Sequence, residues 1–181
     1  LDPSYTTAAI TATHALMVFD TLYGLDAQYQ PQPQMIESEY VDQNGLRWIL
    51  QLREGLMFHD GSPVRAQDAV ASIKRFGARN LIGQTLFSCL DTLSATSDRS
   101  LEFKLTRPFS LLSVTLASAA ASIMPERLAN TPDNIAIKEV IGSGPFRFLP
   151  QRWVSGSQVV YQKSAEYRPR PSGPASNTAG P

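Results

Sequence analysis

The residues with chemical reach are few and scattered. Ser143 sits in Ile141-Gly142-Ser143-Gly144-Pro145, and a serine nucleophile needs a base and an orienting acid beside it. The segment is not Gly-x-Ser-x-Gly, and Pro145 removes the backbone donor that a strand-to-helix elbow presents at that position. A turn feeding a strand is the simpler reading. Two histidines, His14 and His59, are the available bases. His14 falls in a helical stretch with apolar faces, which suits a satisfied boundary histidine. His59 precedes Asp60-Gly61, where hydrogen bonding to the turn backbone accounts for it. Asp60 and Asp68 could act as paired carboxylates, yet a turn former and a first-turn helix acid explain them more cheaply.

Lys74, Arg75 and Arg79 cluster on what the periodicity makes the exposed side of a helix. A phosphate patch is one reading, and cations favoured near a helix C-terminus are the other. Cys89 is the single cysteine, so the chain has no intramolecular disulfide framework and no multi-cysteine metal site. Its expected role is a small buried hydrophobe. The two histidines and one cysteine show no ligand spacing, so neither a metal nor any other cofactor is expected. A domain that binds rather than reacts follows from these residues.

The elements that must position them alternate in type. A helical stripe through Ala12, Leu16, Phe19 and Tyr23 starts after good cap types (Ser4, Thr6, Thr7) and is predicted to stop at Gly24. Residues 28–34 read as a polar connector with two prolines. Strict alternation over residues 45–53 predicts a half-buried strand, pairing through Asn44-Gly45 with residues 36–41. A second turn, His59 to Pro63, leads into a helix carrying Ala69, Val70, Ile73 and Phe76, with Gly77 as its stop. Further strands are predicted near residues 93–96 and 101–105. Residues 109–120 read as a buried helix, and Pro125 opens a helical turn. Strands over residues 144–149 and 158–162 are joined across Ser155-Gly156-Ser157. The Pro- and Gly-rich tail has no apolar periodicity and is predicted to be linker or disorder. Strands and helices interleave without a βαβ rhythm, which favours an α+β fold with a mainly antiparallel or mixed sheet and flanking helices.

Composition sets outer bounds. The 181 residues carry 16 Lys+Arg against 16 Asp+Glu, which argues against nucleic acid as a partner. A hydrophobic content of 43% is that of a globular chain. No apolar run reaches transmembrane length, and no basic segment precedes an apolar one at the start. All the Lys and Arg lie after residue 44, a segregation that a solvated surface explains without a steering role.

Several segments, taken in order, resemble a bacterial ABC-importer solute-binding protein of the oligopeptide/dipeptide/nickel type. The most specific is Trp48 to Val70, WILQLREGLMFHDGSPVRAQDAV. Leu1-Asp2-Pro3, Phe19-Asp20-Thr21-Leu22-Tyr23, Gly142-Ser143-Gly144-Pro145-Phe146 and Glu166-Tyr167-Arg168 are similar to further motifs of that family. Gly142 and Gly144 suit a backbone passing where a Cβ would crowd it. Arg65 stands where the family usually caps the helix with Ser or Thr, which leaves the capping box one-sided and forgoes about 1 kcal/mol.

The resemblance implies part of a two-lobed periplasmic binding protein: residues 1–23 and 140–168 in lobe one, residues 24–139 as a small subdomain inserted in it, and 169–181 as tail. It implies a non-catalytic, periplasmic receptor that binds a peptide or similar small solute and delivers it to an inner-membrane permease. It also implies that this stretch lacks most of the second lobe, so it is expected to fold yet bind solute poorly, with self-association through its exposed inner surface. Thr7, Tyr23 and Ser122 are the ligand-contact candidates. A serine hydrolase using Ser143, or a protein-interaction module, are the competing expectations.

Overall fold

The alternation along residues 45–53 becomes strand β4, Arg47–Leu52, whose Leu50 and Leu52 are fully buried while Arg47 faces solvent. The computed structural model describes residues 1–170. Strand β3, Ile36–Val41, pairs antiparallel with β4 in the predicted hairpin. Strand β6, Ser100–Leu105, pairs with the other edge of β4, setting Phe103 opposite Trp48 and Leu101 opposite Leu50. Strand β5, Leu90–Ala95, closes the sheet in the order β3-β4-β6-β5, all antiparallel. The α+β expectation holds. Helix α2, Ala66–Arg79, lays Ala66, Ala69, Val70 and Ile73 into this core. Asp68 accepts from the Arg65 backbone N–H at 2.8 Å. A guanidinium has no acceptor to return, so the cap is one-sided, as expected.

Gly77 does not stop α2. Its backbone makes room for the Phe87 ring, which a Cβ would meet at 2.3 Å. The helix ends at Asn80, whose side-chain oxygen accepts from the Ile82 and Gly83 N–H groups and caps helix α3, Leu81–Phe87. That second helix was not anticipated.

The first helix is shorter than its stripe suggests. Helix α1 spans Ala9–Val18, with Ala8 as N-cap and no side-chain cap bond. Neither Thr6 nor Thr7 caps it, although the Thr6 hydroxyl accepts from the Ala8 N–H at 3.3 Å. Residues 18–23 are buried without interruption, polar Asp20 and Thr21 included, so burial here shows neither a strand nor a helix period. Here tertiary pairing decides: Asp20 bridges to Ile123, and Tyr23–Leu25 forms strand β1 against β2, Pro31–Pro33. Gly24 therefore lies within a strand, and residues 28–34, instead of a plain connector, supply part of the turn and the second strand of a hairpin.

Residues 109–120 are not one helix either. They hold a single turn, α4 at Leu112–Thr115, and a 3-10 turn at Ala119–Ala121 that Ser118 caps through its hydroxyl. Serines offering the backbone alternative partners shorten helices in this way. Pro125 precedes α5, Glu126–Ala129, as expected. Strands β7, Phe146–Phe148, and β8, Tyr161–Lys163, pair as a final hairpin.

Two clusters of buried side chains result. The larger joins the four-stranded sheet to α2. The smaller gathers Ala15, Val18 and Phe19 of the N-terminal segment with Met124, Leu128 and Ile137, and Phe148 and Tyr161 pack against it. Arg75, expected on the exposed side of α2, is 4% exposed and belongs to the interior. Helical periodicity marked it as polar, but residues 131–137 cover that face and accept its hydrogen bonds.

Candidate functional site

Asp2 fixes the opening loop. Its carboxylate accepts from the Ser4 N–H at 3.0 Å, the Ile137 N–H at 3.0 Å and the Arg75 guanidinium at 2.7 Å. Ser4 then donates its hydroxyl to the Ala120 carbonyl at 3.2 Å. These bonds hold the Pro3–Thr7 loop beside the 3-10 turn that ends at Ala121. Between the loop, that turn and the last residues of α2 lies an open depression of about 480 Å³. That volume is within the range of small-solute sites.

Its walls carry hydroxyls, an amide, an aromatic ring and a single charge. Thr7, Tyr5, Asn80 and Ser118 line it, and among the described residues Arg79 is the one charged side chain that does. The Arg79 guanidinium lies 4.7 Å from the centre of the Tyr5 ring and donates to the Asp133 carbonyl at 2.9 Å.

Of the three ligand-contact candidates, Thr7 lines this depression and is exposed. Ser122 is 1% exposed, and its hydroxyl donates to the Ala119 carbonyl at 2.7 Å, bracing the turn from behind. Tyr23 is not at a helix end. It sits in β1 with its ring in the larger core and its hydroxyl on the Glu39 carboxylate; burial and that carboxylate push its pKa upward. Tyr5 and Asn80 were missed, because nothing in the linear spacing ties residues 5 and 80 together. Arg79 was singled out with Lys74 and Arg75 as a phosphate patch or a helix-end cation, not as part of a site with the opening loop.

The residues weighed for catalysis are held apart. The Ser143 hydroxyl is buried and has no hydrogen-bond partner among the described residues. His14 Nδ1 meets the Tyr161 hydroxyl at 3.0 Å, and burial lowers its pKa to about 4. His59 Nε2 donates to the Gly144 carbonyl at 2.9 Å, and burial lowers its pKa as well. Among the described residues Ser143, His14 and His59 form no nucleophile–base pair. Asp60 accepts from Ser62 and pairs with Arg127 at 3.5 Å, while Asp68 receives the Arg65 and Glu126 N–H groups. Both carboxylates are structural. Cys89 is buried with its thiol on the Thr85 carbonyl. Among the described residues no group of three or more His, Cys, Asp or Glu could hold a metal ion, and no helix is long and apolar enough to cross a membrane.

The Gly142–Gly144 segment has a positional role. It crosses the end of α1 so closely that a Cβ on Gly142 would lie 2.0 Å from the Val18 carbonyl oxygen, and one on Gly144 2.6 Å from that of Phe19. The Gly144 N–H donates to Val18 and the His59 N–H to Gly142, so the crossing ties α1 to the turn ahead of α2.

Residues 30–177 match the family model described as bacterial extracellular solute-binding proteins, family 5 Middle. The chain is 38% identical over 179 residues to a probable peptide ABC transporter periplasmic-binding protein, y4tO, of Sinorhizobium fredii, a match covering 99% of this chain and 34% of that protein. It is 26% identical to the glutathione-binding protein GsiB of Escherichia coli K12, covering 92% of this chain and 33% of the relative. The fold is similar to that of the oligopeptide-binding protein AppA of Bacillus subtilis, solved with a nonapeptide, with a TM-score of 0.79 at 23% identity over 92% of this chain and 34% of AppA. NikA of Brucella suis, solved with Fe(III)-EDTA, gives 0.79 at 19% identity over 91% of this chain and 33% of NikA. The chain thus spans about a third of the length of the curated relatives it matches.

Proposed function

The chain belongs to the bacterial extracellular solute-binding proteins of family 5, and from that premise we propose that it forms part of the extracytoplasmic receptor of an ABC importer. The receptor binds a peptide or similar small solute and presents it to an inner-membrane permease; its compartment is the periplasm. The named relatives handle peptides and glutathione, which supports a peptide-like solute. In this reading residues 1–23 and 140–168 are parts of lobe one and residues 24–139 a small subdomain inserted in it.

The observation that carries the reading is the anchored loop at Pro3–Thr7, which walls an open depression with small polar groups and no catalytic pair. Thr7 is the foremost contact residue in it. Ser122 acts through the turn it braces, and Tyr23 through the strand it anchors. Solute sites bury about 70–90% of ligand surface, and a depression open on one side covers far less. Affinity for a dipeptide is therefore weak, on the order of millimolar. Titration of the isotope-labelled chain with a dipeptide, followed by NMR, is expected to give saturable shifts at Ser4, Thr7, Asn80 and Ser118. Shifts scattered over the surface, or none at 20-fold excess over a roughly millimolar scale, would remove the reading.

A further inference from the structure

We propose that the depression beside Pro3–Thr7 takes a carboxylate of its solute on the Arg79 guanidinium. The inference rests on the receptor reading above and adds a substrate class to it.

The argument is one of charge and donor count. Arg79 is, among the described residues, the sole charged one lining the depression, so no carboxylate of that lining neutralises it. Among the described residues it forms no ion pair; its recorded partners are the Asp133 carbonyl and the Tyr5 ring. A guanidinium carries five N–H donors in a fixed fork, and the carbonyl takes one direction of it. Stacking on Tyr5 and bonding to Asp133 fix the group in place without quenching its charge. Less side-chain entropy is then lost when an anion arrives.

The surrounding hydroxyls point the same way. Ser118 Oγ accepts from the Ala120 N–H and Thr6 Oγ1 from the Ala8 N–H. With those oxygens already accepting, their O–H hydrogens remain to be donated. A site offering one cation and several donors, and no acidic side chain, selects an acceptor-rich anion. A single arginine matches a planar carboxylate in bidentate fashion. A dianionic phosphate finds one positive charge where it needs more, so a peptide carboxylate is the favoured source.

The test uses the ¹⁵N-labelled chain and three probes: the dipeptide Ala-Phe, its C-terminal amide, and inorganic phosphate. Ala-Phe is expected to move the Arg79 Nε–H resonance with the Ser4 and Thr7 amides. The amide, and Ala-Phe with Arg79→Gln, are expected to bind about tenfold more weakly, the loss of one charge-assisted hydrogen bond. Arg79→Lys should recover only part, as a point charge lacking the fork. Equal shifts from acid and amide, or an unmoved Arg79, would overturn the carboxylate assignment while leaving the receptor reading intact. Phosphate shifting Arg79 as strongly as Ala-Phe would overturn it too. Silence from all three probes would take down the receptor reading, and this inference with it.

Discussion

Arg75 and Asp2, 73 positions apart, meet at 2.7 Å with both side chains 1% exposed. The pair joins the first residues of the chain to the middle of α2. The guanidinium also donates to the Thr131, Pro132 and Ile135 carbonyls, and the carboxylate accepts two backbone N–H groups, so the buried polar atoms are nearly all paired. Removing one partner leaves a charge in a dry interior, which costs about 3–5 kcal/mol. Asp2→Ala is therefore expected to lower stability by that amount in urea unfolding and to loosen the loop that carries Tyr5 and Thr7. Asp2→Leu combined with Arg75→Met should recover much of the loss, since apolar replacement of both partners removes the stranded charge. A loss below about 1 kcal/mol in the single variant would mean the pair is no more than a surface contact.

Gly142 and Gly144 are expected to tolerate no side chain. An alanine at 142 would drive its Cβ to 2.0 Å from the Val18 carbonyl oxygen, and backbone on both sides leaves nothing flexible to yield. Gly142→Ala should cost at or beyond the upper end of the roughly 1–3 kcal/mol seen for overpacking. Gly61→Ala is the control: its Cβ would meet nothing within 4 Å, and only the φ of +84° opposes it. If thermal unfolding ranks Gly61→Ala as the more damaging, the close crossing is not what these glycines serve.

These two features differ in how far the sequence revealed them. The glycine crossing was legible because two glycines flanking a small serine leave few other reasons for their spacing. Strands β3, β4 and β6 were legible for a similar reason, since period two along Trp48 to Leu52 has no helical counterpart. Arg75 was not, because a charged residue on an amphipathic helix looks the same whether solvent or a distant loop covers it. The end of α1 was hidden by uniform burial from Val18 to Tyr23, where only the partner at Ile123 selects extended backbone. The depression was half legible: the motif after Leu1-Asp2-Pro3 pointed to Thr7, while Tyr5, Arg79 and Ser118 meet only through tertiary contacts. Asn80 caps α3 through a side-chain bond that the missing helix assignment left without a purpose.

Asp20 gives the protein an unusual pH dependence. Burial raises its pKa to about 7, against the pull of the Thr21 N–H, Arg53, Gln34 and Arg170. In the unfolded chain it ionises near 3.8. Between those values the native state holds a proton the unfolded state lacks, so this group makes stability fall as pH rises. The slope approaches about 1.4 kcal/mol per pH unit. Asp20→Asn keeps an oxygen for the Thr21 N–H and removes the titration. The variant should gain on the wild type as pH climbs from 5 toward about 7 and hold a constant advantage above that. Parallel stability curves for the two proteins from acid to neutral pH would show that the carboxyl is ionised throughout.

His14 opposes that trend over much of the same range. Its ring is caged by Phe19, Phe148 and Tyr161 at centroid distances of 6.2, 5.3 and 5.7 Å, and burial lowers its pKa from the ordinary 6.5 to about 4. Between these values the unfolded chain binds the proton and the native state does not, so stability is lost as pH falls. His14→Phe keeps an aromatic ring in the cage and removes the titration, at the expense of the Tyr161 hydroxyl contact. Asp20 and His14 have no hydrogen-bond partner in common, so their effects should add. The wild type then shows a shallow profile between about pH 4 and 6.5 because two opposite slopes offset. His14→Phe uncovers the Asp20 slope, with stability falling as pH rises. Asp20→Asn uncovers the His14 slope, with stability rising, and the double variant lacks both contributions. Urea unfolding of the four proteins at half-unit pH steps resolves the set, and single variants whose profiles match the wild type would show that neither buried group titrates with a shifted pKa.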